Sequence, residues 1–130
     1  MPVSMQRKFP KQRPQIGVLG KDLTRRSRGR CELCLGREEV RAHELHPFES
    51  EPSMERALMC CGRCRGWMEG SDMDVRDAQF LASAAWSPHP PVRLAAGRLL
   101  LEIRSVEHPW VGEALAAADV DSQTLEFRTG

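Results

Sequence analysis

Cys31-Glu-Leu-Cys34 and Cys61-Gly-Arg-Cys64 are two pairs of thiols with one spacing, C-x-x-C. A two-residue spacer lets both sulfurs of a pair turn toward a single tetrahedral ion while backbone N–H groups stabilise the sulfur charge. Two such pairs complete a closed shell, so Cys31, Cys34, Cys61 and Cys64 are expected to hold a structural zinc. The chain between them is too polar to build a core of its own, which makes a metal the natural organiser of this segment. Cys60 is left over. It could exchange with Cys61 as a ligand, but the C-x-x-C spacing selects Cys61, and Cys60 after Leu58 and Met59 fits the end of a buried strand.

The other residues that could do chemistry lie between the pairs, in Arg41-Ala-His43-Glu44-Leu-His46-Pro47. An HNH-type endonuclease places its general-base histidine at such a position on a frame of two C-x-x-C pairs, so His43, Glu44 and His46 form the catalytic alternative. That chemistry needs an ion with open positions and a base within reach of its water. An HNH site also uses an Asn and a further His, yet the chain contains no Asn and Arg65 follows the last cysteine. In a strand, His43 and Glu44 would point to opposite faces. His43 is therefore read as a surface residue or a neighbour of the zinc ligands, and His46 as a loop residue; either would be a substitute ligand only if Cys61 were not one. His89 and His108 precede prolines and read as turn residues. No nucleophile elbow and no phosphate-cradling loop occur, Cys60 has no base beside it, and a non-enzymatic protein is the preferred reading. Trp67, Trp86 and Trp110 are expected as core anchors.

Charge is distributed unevenly. Residues 1–30 carry nine basic side chains against Asp22 alone, whereas the rest of the chain is net acidic, and the total is +1. The basic arm and the cysteine-pair surface suggest contact with nucleic acid or an acidic protein through Arg25, Arg26, Arg28, Arg30, Arg63 and Arg65. Phe9 is the only aromatic in the arm, so no base-stacking platform is evident. With 130 residues the chain suits one domain plus tails. It has no run of 18 apolar residues and no signal-peptide pattern, which points to the cytoplasm and away from membranes. A reducing compartment and an odd cysteine count favour zinc over disulfides.

The elements that must position these groups follow from periodicity. Residues 1–15 are expected as a disordered basic tail, 16–70 as the zinc module with a leading helix, and 71–130 as a helical region packed on it. Ile16, Leu19 and Leu23 fall at helical spacing, with Gly29 as a stop. Glu39–Leu45 and Ala57–Cys60 read as a β-hairpin around a Pro/Ser loop. A short helix over Arg65–Met68 would make the module a treble clef; a third strand there would make it a zinc ribbon. Ser71 with Asp74 resembles a capping box opening a helix of about three turns with Val75, Ala78, Ala82, Ala85 and Trp86 on one face. After Pro88, Pro90 and Pro91, the stripe Val92, Ala95, Ala96, Leu99 and Ile103 predicts the clearest helix. Pro109 opens another with Trp110, Ala114 and Leu115, and Asp121 would cap a last turn, with Val120 and Leu125 as a staple. The fold class is α+β.

Arg26-Ser-Arg-Gly-Arg-Cys31-Glu-Leu-Cys34, the later Cys61-x-x-Cys64, Trp86-Ser-x-x-Pro90-x-Val92 with Arg98-Leu-Leu100, Trp110 and Asp119-Val-Asp-Ser-Gln-Thr-Leu125 together resemble the N-terminal part of PhnA-like proteins, named for an alkylphosphonate operon. The resemblance covers roughly residues 22–127. It implies a zinc-binding N-terminal region, and a phosphonate-metabolism accessory protein is a further alternative. The chain departs from that family in the alanine-rich approach Ala78–Ala85 to Trp86 and in lacking the small C-terminal β domain of longer members.

Overall fold

The structure, a computed structural model, describes residues 11–104 and 108–118. The expected cap at Asp121, its staple and the run 119–125 lie outside the described residues. Helices surround one two-stranded antiparallel sheet, an α+β arrangement. A 3-10 turn over Pro14–Leu19 leads into helix α1, Gly20–Ser27. Leu23 is the residue of α1 that is fully buried. Arg28 closes the helix in the left-handed conformation at φ 58°, and Gly29 follows at φ 76°, where lack of a Cβ makes the turn toward Cys31 cheap.

Strands β1, Arg41–Glu44, and β2, Ala57–Cys60, pair in the register Arg41↔Cys60, Ala42↔Met59, His43↔Leu58 and Glu44↔Ala57. Both strands match the expected hairpin. All four residues of β2 are buried because the sheet is covered on both faces. Strand alternation sends Leu58 and Cys60 into the main core and Ala57 and Met59 toward Leu23, Ile16 and Leu19. Full burial of a side chain such as Leu58 contributes about 2 kcal/mol.

Helix α2, Gly62–Met68, starts directly at the second cysteine pair, with Cys61 as its N-cap. The helix expected from Ser71 onward is broken up: Val75–Ala78 is a 3-10 turn and helix α3 covers Leu81–Ala84. Asp74 explains the break. Its carboxylate accepts from the Arg76 backbone N–H two residues on, at 2.8 Å, a local turn bond that competes with a continuing helix. Trp86 consequently falls beyond α3 and is 74% exposed, so the expectation that it anchors the core is corrected. Trp67 is buried, and Trp110 is half-buried.

Helix α4, Pro90–Glu102, is the central element. The predicted stripe holds, but α4 is buried from Leu94 to Leu100 without interruption, since β2, α2, α3 and α5 (Pro109–Ala118) pack around it. Its burial includes Arg98, whose Nη2 donates to the His46 carbonyl at 2.7 Å. Cys31, Leu33, Leu58 and Trp67 share one continuous core with Val92, Leu99, Val111 and Ala114. The cysteine module and the helical region are therefore built on the same apolar interior.

Candidate metal centre

Each cysteine pair is shaped by its own backbone. Around the first, the Cys31 N–H donates to the Gly36 carbonyl at 2.8 Å and the Leu35 N–H returns to Cys31 at 2.9 Å, closing a tight loop that passes through Leu35 at φ 68°. Inside it the Cys34 N–H points at Cys31 Sγ (3.5 Å) and the Gly36 N–H at Cys34 Sγ (3.4 Å). A Cβ at position 36 would stand 3.3 Å from Cys34 Sγ, so only glycine lets the backbone approach that sulfur without displacing it. In the second pair Cys61 Sγ accepts from the Cys64 N–H at 3.4 Å, which is the N-cap bond of α2.

The two loops bring four sulfurs together. All four Sγ atoms lie within 4.8 Å of one another, and Cys34 Sγ and Cys61 Sγ are 3.6 Å apart. A tetrahedral zinc with bonds of about 2.3 Å has sulfur–sulfur edges of roughly 3.8 Å, so the cluster is sized for one such ion. None of the five cysteines is in a disulfide. Cys31 and Cys64 are fully buried, Cys61 nearly so, and Cys34 is half-buried.

Burial and mutual hydrogen bonding shift the ionisation of these sulfurs in opposite directions. Acceptance of a hydrogen bond from Cys64 draws Cys31 down to about 4, against the cost of its burial. Cys64, the donor in that bond, is pushed far up, and burial pushes Cys34 up. A cation among the sulfurs would supply the charge that burial opposes at Cys34 and Cys64. Cys60 ends β2 as expected, outside the cluster; burial, then the charge of Cys31 and Cys61, pushes its thiol well up.

The catalytic alternative is not assembled among the described residues. His43 faces the main core beside Leu58 and is 4% exposed, which corrects its reading as a surface residue. Glu44 is buried on the other face, where Arg13 grips its carboxylate through Nε at 2.8 Å and Nη2 at 2.7 Å. Gln12 adds two hydrogen bonds to the Glu44 backbone, at 2.6 and 3.0 Å. Residues 12 and 13, expected in the disordered tail, are thereby tied to the free edge of β1. His46 is half-buried and engaged through its carbonyl by Arg98. The four cysteines are the metal-competent group among the described residues, and His43, Glu44 and His46 do not form a second one.

The six arginines proposed for a partner divide into distinct roles. Arg26 is part of the scaffold: Nε and Nη2 hold the Glu32 carboxylate at 2.8 and 3.0 Å, while Nη1 and Nη2 donate to the Met54 and Ala57 carbonyls. Glu32 in turn accepts from the Met59 N–H at 2.8 Å, and its own N–H donates to the Met59 carbonyl. This ion pair joins α1, the first cysteine loop and β2. Arg65 binds the Cys60 and Glu39 carbonyls. Arg63 is exposed but lies 4.8 Å over the Trp67 ring and 5.4 Å over Phe80. Arg25, Arg28 and Arg30 stay exposed, with Arg25 only 3.7 Å from Asp22. Pattern alone missed Arg13, Glu32 and Arg98; the visible signal was Arg98, a charge inside an apolar helical run. Compared with protein families, with curated proteins and with solved structures, the chain shows no match.

Proposed function

We propose that this chain is a non-enzymatic zinc protein of PhnA-like type, in which a structural four-cysteine zinc shapes a treble-clef module that presents a basic helix to nucleic acid in the cytoplasm. One observation carries the reading: four sulfurs within 4.8 Å of one another, contributed by two loops of the same core. Thiolates are soft donors and select zinc over hard cations. Four protein ligands fill a tetrahedron and leave no position for a substrate or an activated water, which favours a structural ion over a catalytic one. The treble clef is favoured over the ribbon because the second pair caps α2 where a ribbon would continue into a strand. The binding surface is the outer face of α1. Lys21 and Arg25 lie there at i and i+4, exposed and opposite the buried Leu23, and the exposed Arg28 follows at the C-cap.

Two measurements test this. Elemental analysis should find one zinc per chain, and its removal by a chelator should abolish amide protection across residues 31–64, because structural zinc in small modules is worth about 10–16 kcal/mol of apparent binding free energy. Protection that survives full metal removal refutes the structural role. The full chain should bind DNA or RNA with an affinity that falls with salt, by a log–log slope of roughly −0.9 per phosphate contact on a duplex. Replacing Lys21, Arg25 and Arg28 together by alanine should remove that binding while leaving the zinc in place. Absence of binding at low salt refutes the partner.

A further inference from the structure

The four sulfurs are not equivalent. Cys31 and Cys64 are fully enclosed, Cys61 is 5% exposed and anchored as the N-cap of α2, and only Cys34 is half-buried. Beside it opens a cleft of about 250 Å³, lined by Cys34 and Cys61, by the loop Gly36–Glu39, and by Gly62 and Arg63. Cys31, Cys61 and Cys64, by contrast, belong to the main apolar core, against which Cys34 packs from its edge. From Arg30 to Arg37 the chain has no regular element, so a change at Cys34 is confined to its loop, whereas Cys61 and Cys64 move only with α2. Arg63 stands at the mouth of the cleft. It rests on the stacked rings of Trp67 and Phe80, whose centroids are 5.9 Å apart, and shares the lining of the cleft with Cys34 and Cys61.

We infer that Cys34 is the exchange ligand of the metal centre: the sulfur that leaves first, and the position at which a small thiol or chelator entering the cleft takes hold of the ion, with Arg63 as the positioning residue that restrains it. The inference rests on the zinc reading above. The exchange is a ligand substitution without redox change. With an ion held by Cys31, Cys61 and Cys64, an incoming thiol would give its proton to the Cys34 sulfur and take that sulfur's place, so that four sulfur ligands would be present before and after the exchange. The cleft is lined by Arg37 and Arg63 and equally by Glu38 and Glu39, so it suits a small zwitterionic thiol rather than a strongly anionic donor. Susceptibility of a thiolate to electrophiles follows its charge and exposure, and the exposed edge of this cluster is Cys34. Removing the Arg63 charge leaves more negative charge on that sulfur; outer partners of metal ligands typically change metal affinity by about 10–100-fold.

The test uses the full-length chain as purified, after its zinc content has been measured. Limiting N-ethylmaleimide is added, zinc release is followed with a colorimetric chelator, and modified cysteines are located by tandem mass spectrometry. The maleimide reports directly on the leaving sulfur: the Cys34 sulfur adds to its alkene carbon, an S–C bond replaces the π bond, and the adjacent carbon takes a proton from water. Cys34 should be labelled at least tenfold ahead of Cys31, Cys61 and Cys64, with zinc release in step. Arg63→Ala should speed both about tenfold, and Arg63→Lys should fall between it and the parent. Should Arg63→Ala not fold, the Arg63→Lys rate and the labelling order in the parent chain still decide. First labelling at another cysteine, or simultaneous loss of all four, overturns the assignment of Cys34 while leaving structural zinc intact. Rates indifferent to Arg63 overturn its role, and a chain purified without metal overturns both readings.

Discussion

Arg26 offers the sharpest separation between a scaffold arginine and a partner-binding one. Arg26→Ala would strip two charge-assisted hydrogen bonds from the Glu32 carboxylate and one each from the Met54 and Ala57 carbonyls. Glu32 would keep the Met59 N–H but no opposing charge, at a side-chain exposure of only 6%, and the Arg26 side chain itself is 13% exposed. Removing one partner of a buried ion pair costs about 3–5 kcal/mol, against about 0–1 kcal/mol for an exposed pair. Because the pair keeps slight solvent contact, a loss near the lower end, about 3 kcal/mol, is expected. Urea unfolding of zinc-loaded protein, with an unchanged denaturant slope, measures it. Combining Arg26→Met with Glu32→Gln should cost less than Arg26→Met alone, since no buried charge is then left unpaired. A loss below about 1 kcal/mol, the range of an exposed pair, combined with weakened binding to nucleic acid would refute the scaffold assignment and return Arg26 to the binding surface.

The two adjacent cysteines of β2 and α2 should separate in a metal assay. Cys60→Ala should retain one zinc per chain, because its sulfur lies outside the cluster, whereas Cys64→Ala should lose tight binding; elemental analysis after gel filtration reads both. The tryptophans should divide by burial. Trp67→Ala removes a 6% exposed ring stacked on Phe80 and should cost about 3–5 kcal/mol, while Trp86→Ala should change urea stability by no more than about 0.5 kcal/mol. Equal losses at the two positions would contradict the packing described for α3.

Local patterns predicted the site well and its surroundings poorly. Four cysteines in C-x-x-C spacing were legible because the spacing itself fixes how two sulfurs of a pair can converge, and the hairpin and α4 were legible because period-two and helical apolar patterns are local properties of a chain. The helix after Ser71 was misread for an equally local reason: an Asp at position 74 serves a capping box or an Asp turn, and its bond to the Arg76 N–H chose the turn.

What sequence determined, then, was the donor set and the elements that carry it. Which charged side chains are structural was decided by tertiary contacts alone. Arg26 and Arg25 are neighbours with the same side chain, yet the turn of α1 sends one into a cage of carbonyls around Glu32 and leaves the other on the surface. Glu44 and His43 acquire opposite surroundings because β2 is covered on both faces. The identity of the half-buried sulfur also depends on the cleft formed where residues 36–39 pass α2, some 25 positions along the chain. Such distinctions arise from non-local packing, for which single residues carry no periodic signal.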